Sequence, residues 1–255
     1  MISPNTPLGM DASFVAHLQH QHPDLMPQAT GERPDIAEAT TITALSFATG
    51  VVMAGDRRAT VGNRIASSTM EKVFAADSHS LIGVAGVAGF AVDLARLFAV
   101  ELEHYEKLEG TQLSLTGKAN RLSTLIRNQL PHALQGLSAV PVFAGVTPGT
   151  DDAKIFSYDA LGGRFEERHW SSIGSGSPYA ATTLKRLWSA EASQEQAIDA
   201  SLQALIDAAE ADAGTAGPDP RRDLYPLVYV VTGAGVTQVE QAVIAERVAG
   251  LEGHN

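Results

Sequence analysis

The 255-residue chain contains no cysteine. That absence removes disulfides, thiolate zinc sites, iron–sulfur clusters and a cysteine nucleophile together, so any nucleophile here is oxygen or nitrogen. Aromatic residues make up only 6% and charged residues only 18%, and the charge is one-sided: 29 acidic against 18 basic side chains, a formal net charge of −11. Such a balance argues against sequence-independent binding to nucleic acid. No segment reaches the roughly 18 uninterrupted apolar residues of a membrane span, and the first 30 residues carry neither lysine nor arginine. A signal peptide is therefore excluded, and a soluble cytoplasmic protein is expected. With 44% hydrophobic residues the chain has the means to bury a full core.

Residues 1–39 differ in texture from the rest. They hold five prolines and scattered acids, and only Phe14, Val15, Ala16 and Leu18 could pack as a helical turn, so they read as a leader rather than part of the core. At Thr40 the pattern changes to β-rich TTITALSF, followed after Ala48-Thr49-Gly50 by GVVMAGD, a pair of adjacent strands. The apolar segment 81–89 leads into a helix with Phe90, Leu94, Leu97, Phe98, Leu102 and Tyr105 at three- and four-residue spacing. A second helix carries Leu122, Leu125, Ile126, Leu130 and Leu134. Strands return at 141–147 and from 153, turn at Gly162-Gly163, and continue as one extended stretch to Trp170. Helices over 178–189 and 194–211, a strand over 227–232 with a hairpin partner near 236–241, and a last helix around Val243–Leu251 complete the order β-β-β-α-α-β-β-β-α-α-β-β-α. Strands in runs and helices in pairs predict an α+β fold of two mainly antiparallel sheets between helical layers, not a doubly wound parallel sheet.

Several residues invite a chemical reading, each beside a plainer one. Thr40 stands where the leader meets the first strand; a cut before it would place a free α-amine, with a reference pKa near 8, beside a hydroxyl that needs a base. It is equally the first residue of an ordinary strand. Lys72 is the only lysine before Lys107 and lies in a partly apolar stretch that reads as a strand. Buried there, it would need a carboxylate, which Asp56 could supply; otherwise the two form a surface ion pair. Gly83-Val84-Ala85-Gly86 puts backbone N–H groups between strand and helix, where one could meet an oxyanion. Gly174-Ser175-Gly176-Ser177-Pro178 is a helix N-cap or a hydroxyl aimed at a catalytic amine, and Asp212 with Thr215 caps a helix or orients another group. His17, His20 and His22 lack the carboxylates of a metal site, and Arg221-Arg222-Asp223 reads as a solvated charge cluster.

Taken in order, TTITAL, GVVMAGDRR, Lys72 sixteen residues after Asp56, GVAG, GSGSP and Asp212-x-x-Thr215-x-Gly217 resemble the β subunits of proteasomes, of the actinobacterial type above all. AVELEHYEKLEG at 99–110 resembles that bacterial subgroup in particular. The resemblance spans about Thr40 to Ala249. It implies a four-layer αββα N-terminal nucleophile hydrolase fold and a zymogen cut autocatalytically between Ala39 and Thr40, with 1–39 a propeptide and 40–255 the catalytic domain. It implies that Thr40 Oγ1 attacks the scissile carbonyl with its own α-amine as base through a water, and that Lys72 and Asp56 tune the site with Arg58 in support. Ser175, Asp212 and Thr215 would hold the amine, and the Gly86 N–H would receive the oxyanion. Thr60 would bind the substrate backbone, and Ala59, Met70, Phe74, Val84, Ala88 and Val92, all uncharged and apolar, would line the specificity pocket, implying cleavage after hydrophobic residues. No cofactor or metal is implied. The implied partners are α subunits, other β subunits in a seven-membered ring of the core particle, a ring ATPase regulator, and unfolded or tagged protein substrates.

The chain departs from that pattern at Ala39, where glycine is usual and a Cβ narrows the backbone choice, and at Ala216, where a glycine pair is common. Three other functions compete. A noncatalytic structural β-type subunit would retain its leader. The simpler two-component bacterial peptidase of the same fold has GDG where this chain has Gly55-Asp56-Arg57. An unrelated antiparallel α+β binding module would lose no activity on Thr40→Ala.

Overall fold

The computed structural model describes residues 40–61 and 64–252. The propeptide expected at 1–39, with Ala39 and the three leader histidines, lies outside the described residues.

The first strand, β1 (Thr41–Phe47), turns directly into β2 (Gly50–Gly55), as the Ala48-Thr49 spacing predicts. The remaining strands are β3 (Ala59–Val61), β4 (Arg64–Ser67), β5 (Val73–Asp77), β6 (Ser80–Gly86), β7 (Ala139–Val146), β8 (Ala153–Tyr158), β9 (Arg164–Glu167), β10 (Trp170–Gly174), β11 (Leu227–Thr232) and β12 (Gly235–Gln238). Helices α1 (Ala88–Glu109), α2 (Leu115–Asn128) and the one-turn α3 (Leu130–Ala133) fall between β6 and β7. Helices α4 (Ser177–Leu187) and α5 (Gln194–Ala211) follow β10, and α6 (Gln241–Glu252) ends the described chain. One sheet runs β10-β1-β2-β11-β12 and the other β5-β6-β7-β8-β9, every neighbouring pair antiparallel.

Three buried clusters define the layers. Ile42, Ala44, Val51, Met53, Leu81, Val142 and Ala144 fill the space between the two sheets. Leu45, Phe47, Val52 and Ala54 face the other way, against α4, α5 and α6. Ile82, Val84, Phe143 and Phe156 meet α1 and α2 on the far side of the second sheet. Because β1 and β2 are covered on both faces, they read as continuous apolar runs instead of alternating ones. The result is the four-layer αββα arrangement expected of the α+β class.

The structure departs from the sequence reading at particular places. The stretch after Gly163 is two strands: β9 pairs with β8 in one sheet, and β10 pairs with β1 in the other. The hairpin of β3 and β4 was not expected, and β4 is too exposed to carry an apolar alternation. Lys72 precedes β5 instead of lying within a strand, although its carbonyl accepts the Val84 N–H at 2.9 Å. The second helix stops at Asn128, because Pro131 has no N–H to give the preceding turn, and Leu130 and Leu134 are exposed on α3 and just beyond it. Leu97 and Tyr105 of α1 are also exposed, so of that stripe Leu94, Phe98 and Leu102 join the core and half-buried Phe90 packs against it. Among the described residues no helix is long and apolar enough to cross a membrane, and no cluster of metal-ligating side chains occurs.

Candidate active site

The start of β1 lies against the end of β10, and this contact builds the site. Thr41 pairs with Gly174, and the Thr40 carbonyl accepts the Ser175 N–H at 2.9 Å. Gly174 has φ +96°, and a Cβ on it would collide with the Thr40 carbonyl oxygen, so the close approach requires glycine. Gly174→Ala is accordingly expected to lower stability by about 1–3 kcal/mol, read as a drop in the denaturation midpoint. Thr40 itself is 2% exposed.

Asp56, one residue beyond β2, accepts from four directions. Its Oδ1 receives the Thr41 N–H at 2.8 Å and Lys72 Nζ at 2.7 Å. Its Oδ2 receives the Arg58 N–H at 2.9 Å and the Ala216 N–H at 3.0 Å. Lys72 also donates to the Arg58 carbonyl, and Arg58 Nη1 donates to the Ala213 carbonyl at 3.0 Å. Lys72 and Asp56 are each 1% exposed, so the pair is buried and not a surface ion pair. Burial pushes the Lys72 ammonium below its ordinary value, against the attraction of Asp56. Ala216, flagged as a departure, fits: Asp223 alone among the described non-glycine residues has positive φ, so the loop admits the Cβ.

The second cluster sits where α5 ends. Asp212 Oδ2 accepts from Ser175 Oγ and from Thr215 Oγ1, both at 2.6 Å, and Oδ1 accepts the Gly214 N–H at 3.1 Å. Burial raises the carboxyl's pKa, but these hydrogen bonds outweigh it and hold Asp212 below the usual carboxylate range. Ser175 is therefore not a helix cap; Gly176 occupies that position for α4, with no side-chain bond. The stability carried by the charged Asp212 is complete above the ordinary carboxylate pKa and lost as pH falls through the depressed one. Thermal midpoints of wild type and Asp212→Asn should differ most near neutrality and converge below pH ~4.

The remaining expected residues fall around these clusters. Gly86 ends β6 at φ +115°, where a Cβ would collide with the Ser138 carbonyl. It shares a cleft of about 410 Å³ with Ser138, Ser172, Gly174 and Ser177. Thr60 is half-buried on β3, which pairs with β4 alone among the described strands and so leaves an edge for an added one. Phe74 and Val84 both belong to the α1-facing side of β5 and β6. Ala88 and Val92 lie one turn apart at the start of α1, both half-buried, while Met70 is half-buried in the segment before β5 and Ala59 is buried on β3. Arg221 and Arg222 form a 3₁₀ turn at the surface, closed by Asp223 at φ 54°.

Sequence reasoning missed Thr41, which is wholly buried and bonds to both clusters: its N–H meets Asp56, and its hydroxyl lies 2.6 Å from Thr215 Oγ1. The only signal was the doubled Thr40-Thr41, which a β-strand explains as readily.

A family model described as "Proteasome subunit" matches residues 36–218. A protein named proteasome subunit beta from Acidothermus cellulolyticus is 49% identical, with 94% of this chain and 89% of that protein covered. Proteins of the same name from Streptomyces griseus and Jonesia denitrificans are each 47% identical, covering 93% and 95% of this chain and 87% and 82% of their own lengths.

Proposed function

This chain belongs to the proteasome family, and on that premise we propose that it is the catalytic β subunit of a bacterial core particle, a threonine endopeptidase with Thr40 as nucleophile. The observation that carries the reading is the buried Lys72–Asp56 pair, whose carboxylate holds the backbone N–H of Thr41, the residue after Thr40. A noncatalytic subunit has no need of a charge pair this costly to bury at the start of β1.

In this reading residues 1–39 are removed by cleavage of the Ala39–Thr40 bond, leaving 40–255. The freed α-amine then draws the proton from Thr40 Oγ1 through a water, and the alkoxide-like oxygen attacks the substrate carbonyl. The positive end of Lys72, held by Asp56 and the Arg58 carbonyl, favours the negative oxygen. The Gly86 N–H stabilises the tetrahedral oxyanion, and the ammonium returns its proton to the leaving amine. Water hydrolyses the resulting ester on Thr40 with the amine again as base. Ser175, Asp212 and Thr215 hold the amine in place, and the free edge of β3 at Thr60 takes the substrate as an extra strand.

The residues that the resemblance assigns to the specificity pocket, Ala59, Met70, Phe74, Val84, Ala88 and Val92, carry no charge to meet an acidic or basic side chain. A fluorogenic peptide panel is expected to show fastest cleavage after Leu, Tyr or Phe; faster cleavage after Asp or Arg would refute the assignment of the pocket. The family implies assembly with other subunits. The finer reading is a seven-membered β ring between α-subunit rings in the cytoplasm, fed by a ring ATPase with unfolded or tagged proteins. The deciding experiment is intact mass with N-terminal sequencing of the chain after coexpression with its α partner. A start at Thr40 supports the catalytic reading, whereas an assembled chain retaining residues 1–39 turns it into a structural subunit.

A further inference from the structure

The two polar clusters around Thr40 meet at one residue that neither contains. Thr41 donates its N–H to Asp56 Oδ1, the oxygen that also takes Lys72. Its Oγ1 accepts the Gly176 N–H at 3.0 Å and lies 2.6 Å from Thr215 Oγ1. The protons in this cluster can be assigned by counting. Asp212 is an ionised carboxylate and only accepts, so Thr215 gives its single hydroxyl proton to Asp212 Oδ2. Between Thr41 and Thr215, Thr41 must then be the donor. Ser175 likewise gives its proton to Asp212, 2.6 Å away, instead of to the Thr40 carbonyl at 3.4 Å. Both hydroxyls thereby turn lone pairs, not protons, outward. The packing leaves no slack for another arrangement: a Cβ on Gly176 would stand 2.5 Å from Thr41 Oγ1 and from Thr215 Oγ1 alike.

We propose that the Thr41 hydroxyl is a positioning group for the reaction, its donated hydrogen bond fixing the place of the Thr215 oxygen so that Thr215 and Ser175 present acceptors to the Thr40 amine and leave the amine's own lone pair for the nucleophile. The proposal rests on Thr40 being the nucleophile. It deepens that reading by giving the residue after the nucleophile a role through its side chain, separable from its strand pairing, which only the backbone makes.

The test is steady-state kinetics on assembled particles carrying Thr41→Val, Thr41→Ala or Thr41→Ser, each checked by sequencing for a Thr40 start. Thr41→Val keeps the shape and removes the hydroxyl. It is expected to lower kcat by about 10- to 100-fold with KM nearly unchanged. The acid limb of the kcat/KM profile should move to lower pH, because the protonated amine loses a fixed acceptor. Thr41→Ser should restore most of the rate. If the valine variant does not mature, Thr41→Ala against Thr41→Ser makes the same comparison without added bulk. In a cycle with Thr215→Val, the double variant should be no slower than Thr215→Val alone. A Thr41→Val particle with wild-type kcat and acid limb overturns the proposal, as does a serine variant as slow as the alanine one, or additive losses in the cycle. Thr40→Ala run alongside separates the two levels: activity surviving that change overturns the nucleophile and the proposal with it, while a silent Thr41→Val overturns the proposal alone.

Discussion

Thr40→Ala is expected to abolish peptide hydrolysis, by roughly 10⁴- to 10⁶-fold in kcat, and to leave residues 1–39 attached. Both losses follow from one atom. In the proposed reading Oγ1 is the nucleophile toward substrate and also toward the bond cut to free the α-amine, so without it the chain should neither mature nor turn over. The fold should tolerate the change, because the Thr40 carbonyl that accepts the Ser175 N–H and ties β1 to β10 is kept. Intact mass of the assembled particle reads the retained leader, and a hydrophobic fluorogenic peptide reads the rate. Thr40→Ser keeps the oxygen and should keep both functions. A mature, active Thr40→Ala chain would move the chemistry to another residue.

Asp56→Asn should cost more stability than Lys72→Met, although each removes one half of the same ion pair. Breaking a buried pair costs about 3–5 kcal/mol when it strands a charge. Lys72→Met leaves Asp56 with three backbone N–H donors, from Thr41, Arg58 and Ala216, so its charge remains solvated by the fold. Asp56→Asn instead leaves a buried ammonium without its carboxylate and turns an NH₂ group toward N–H groups that need an acceptor. Activity should fall in both by about 10²-fold or more. Denaturant midpoints of the two variants, each measured with Thr40→Ala to keep maturation states equal, decide the order. A larger loss in Lys72→Met would mean that the lysine stem's packing outweighs the hydrogen bonds at Asp56.

The strands and helices with strong internal pattern were legible: β1, β2, α4, α5 and β11 all stand where their apolar spacing and turn residues put them. The pattern failed where position in the layers, not local sequence, decides the outcome. Leu97 and Tyr105 satisfy helical spacing as well as Leu94 and Phe98 do, yet α1 turns only part of that stripe inward. The jump of the chain from β9 to β10 crosses from one sheet to the other, and nothing in the sequence between Glu167 and Trp170 signals a change of partner. In the candidate site, Lys72 and Asp56 stood out because charge in an apolar stretch demands a partner. Ser175, Asp212, Thr215 and Gly86 were candidates from the residues alone, but only the ordered resemblance favoured their chemical reading, since a serine, an aspartate or a glycine before or after a helix has a commoner explanation. Thr41 escaped both routes, because a threonine in a strand asks for nothing.

The N–H that Ala216 gives to Asp56 has a bearing on the life of the newly made chain. Thr40 leaves the ribosome early, but the Asp56 carboxylate is not fully held until the loop after α5 has been synthesised, 176 residues after Thr40. At about 5–20 residues per second that is a delay of roughly 9–35 s. During it the Asp56 carboxylate lacks one of its four donors, so in the proposed reading the site that would cut the Ala39–Thr40 bond is not yet complete. Reading order along the message thus sets the earliest moment at which the leader could be cut, and a circular permutant that places the segment around residue 216 ahead of Thr40 should bring that moment forward.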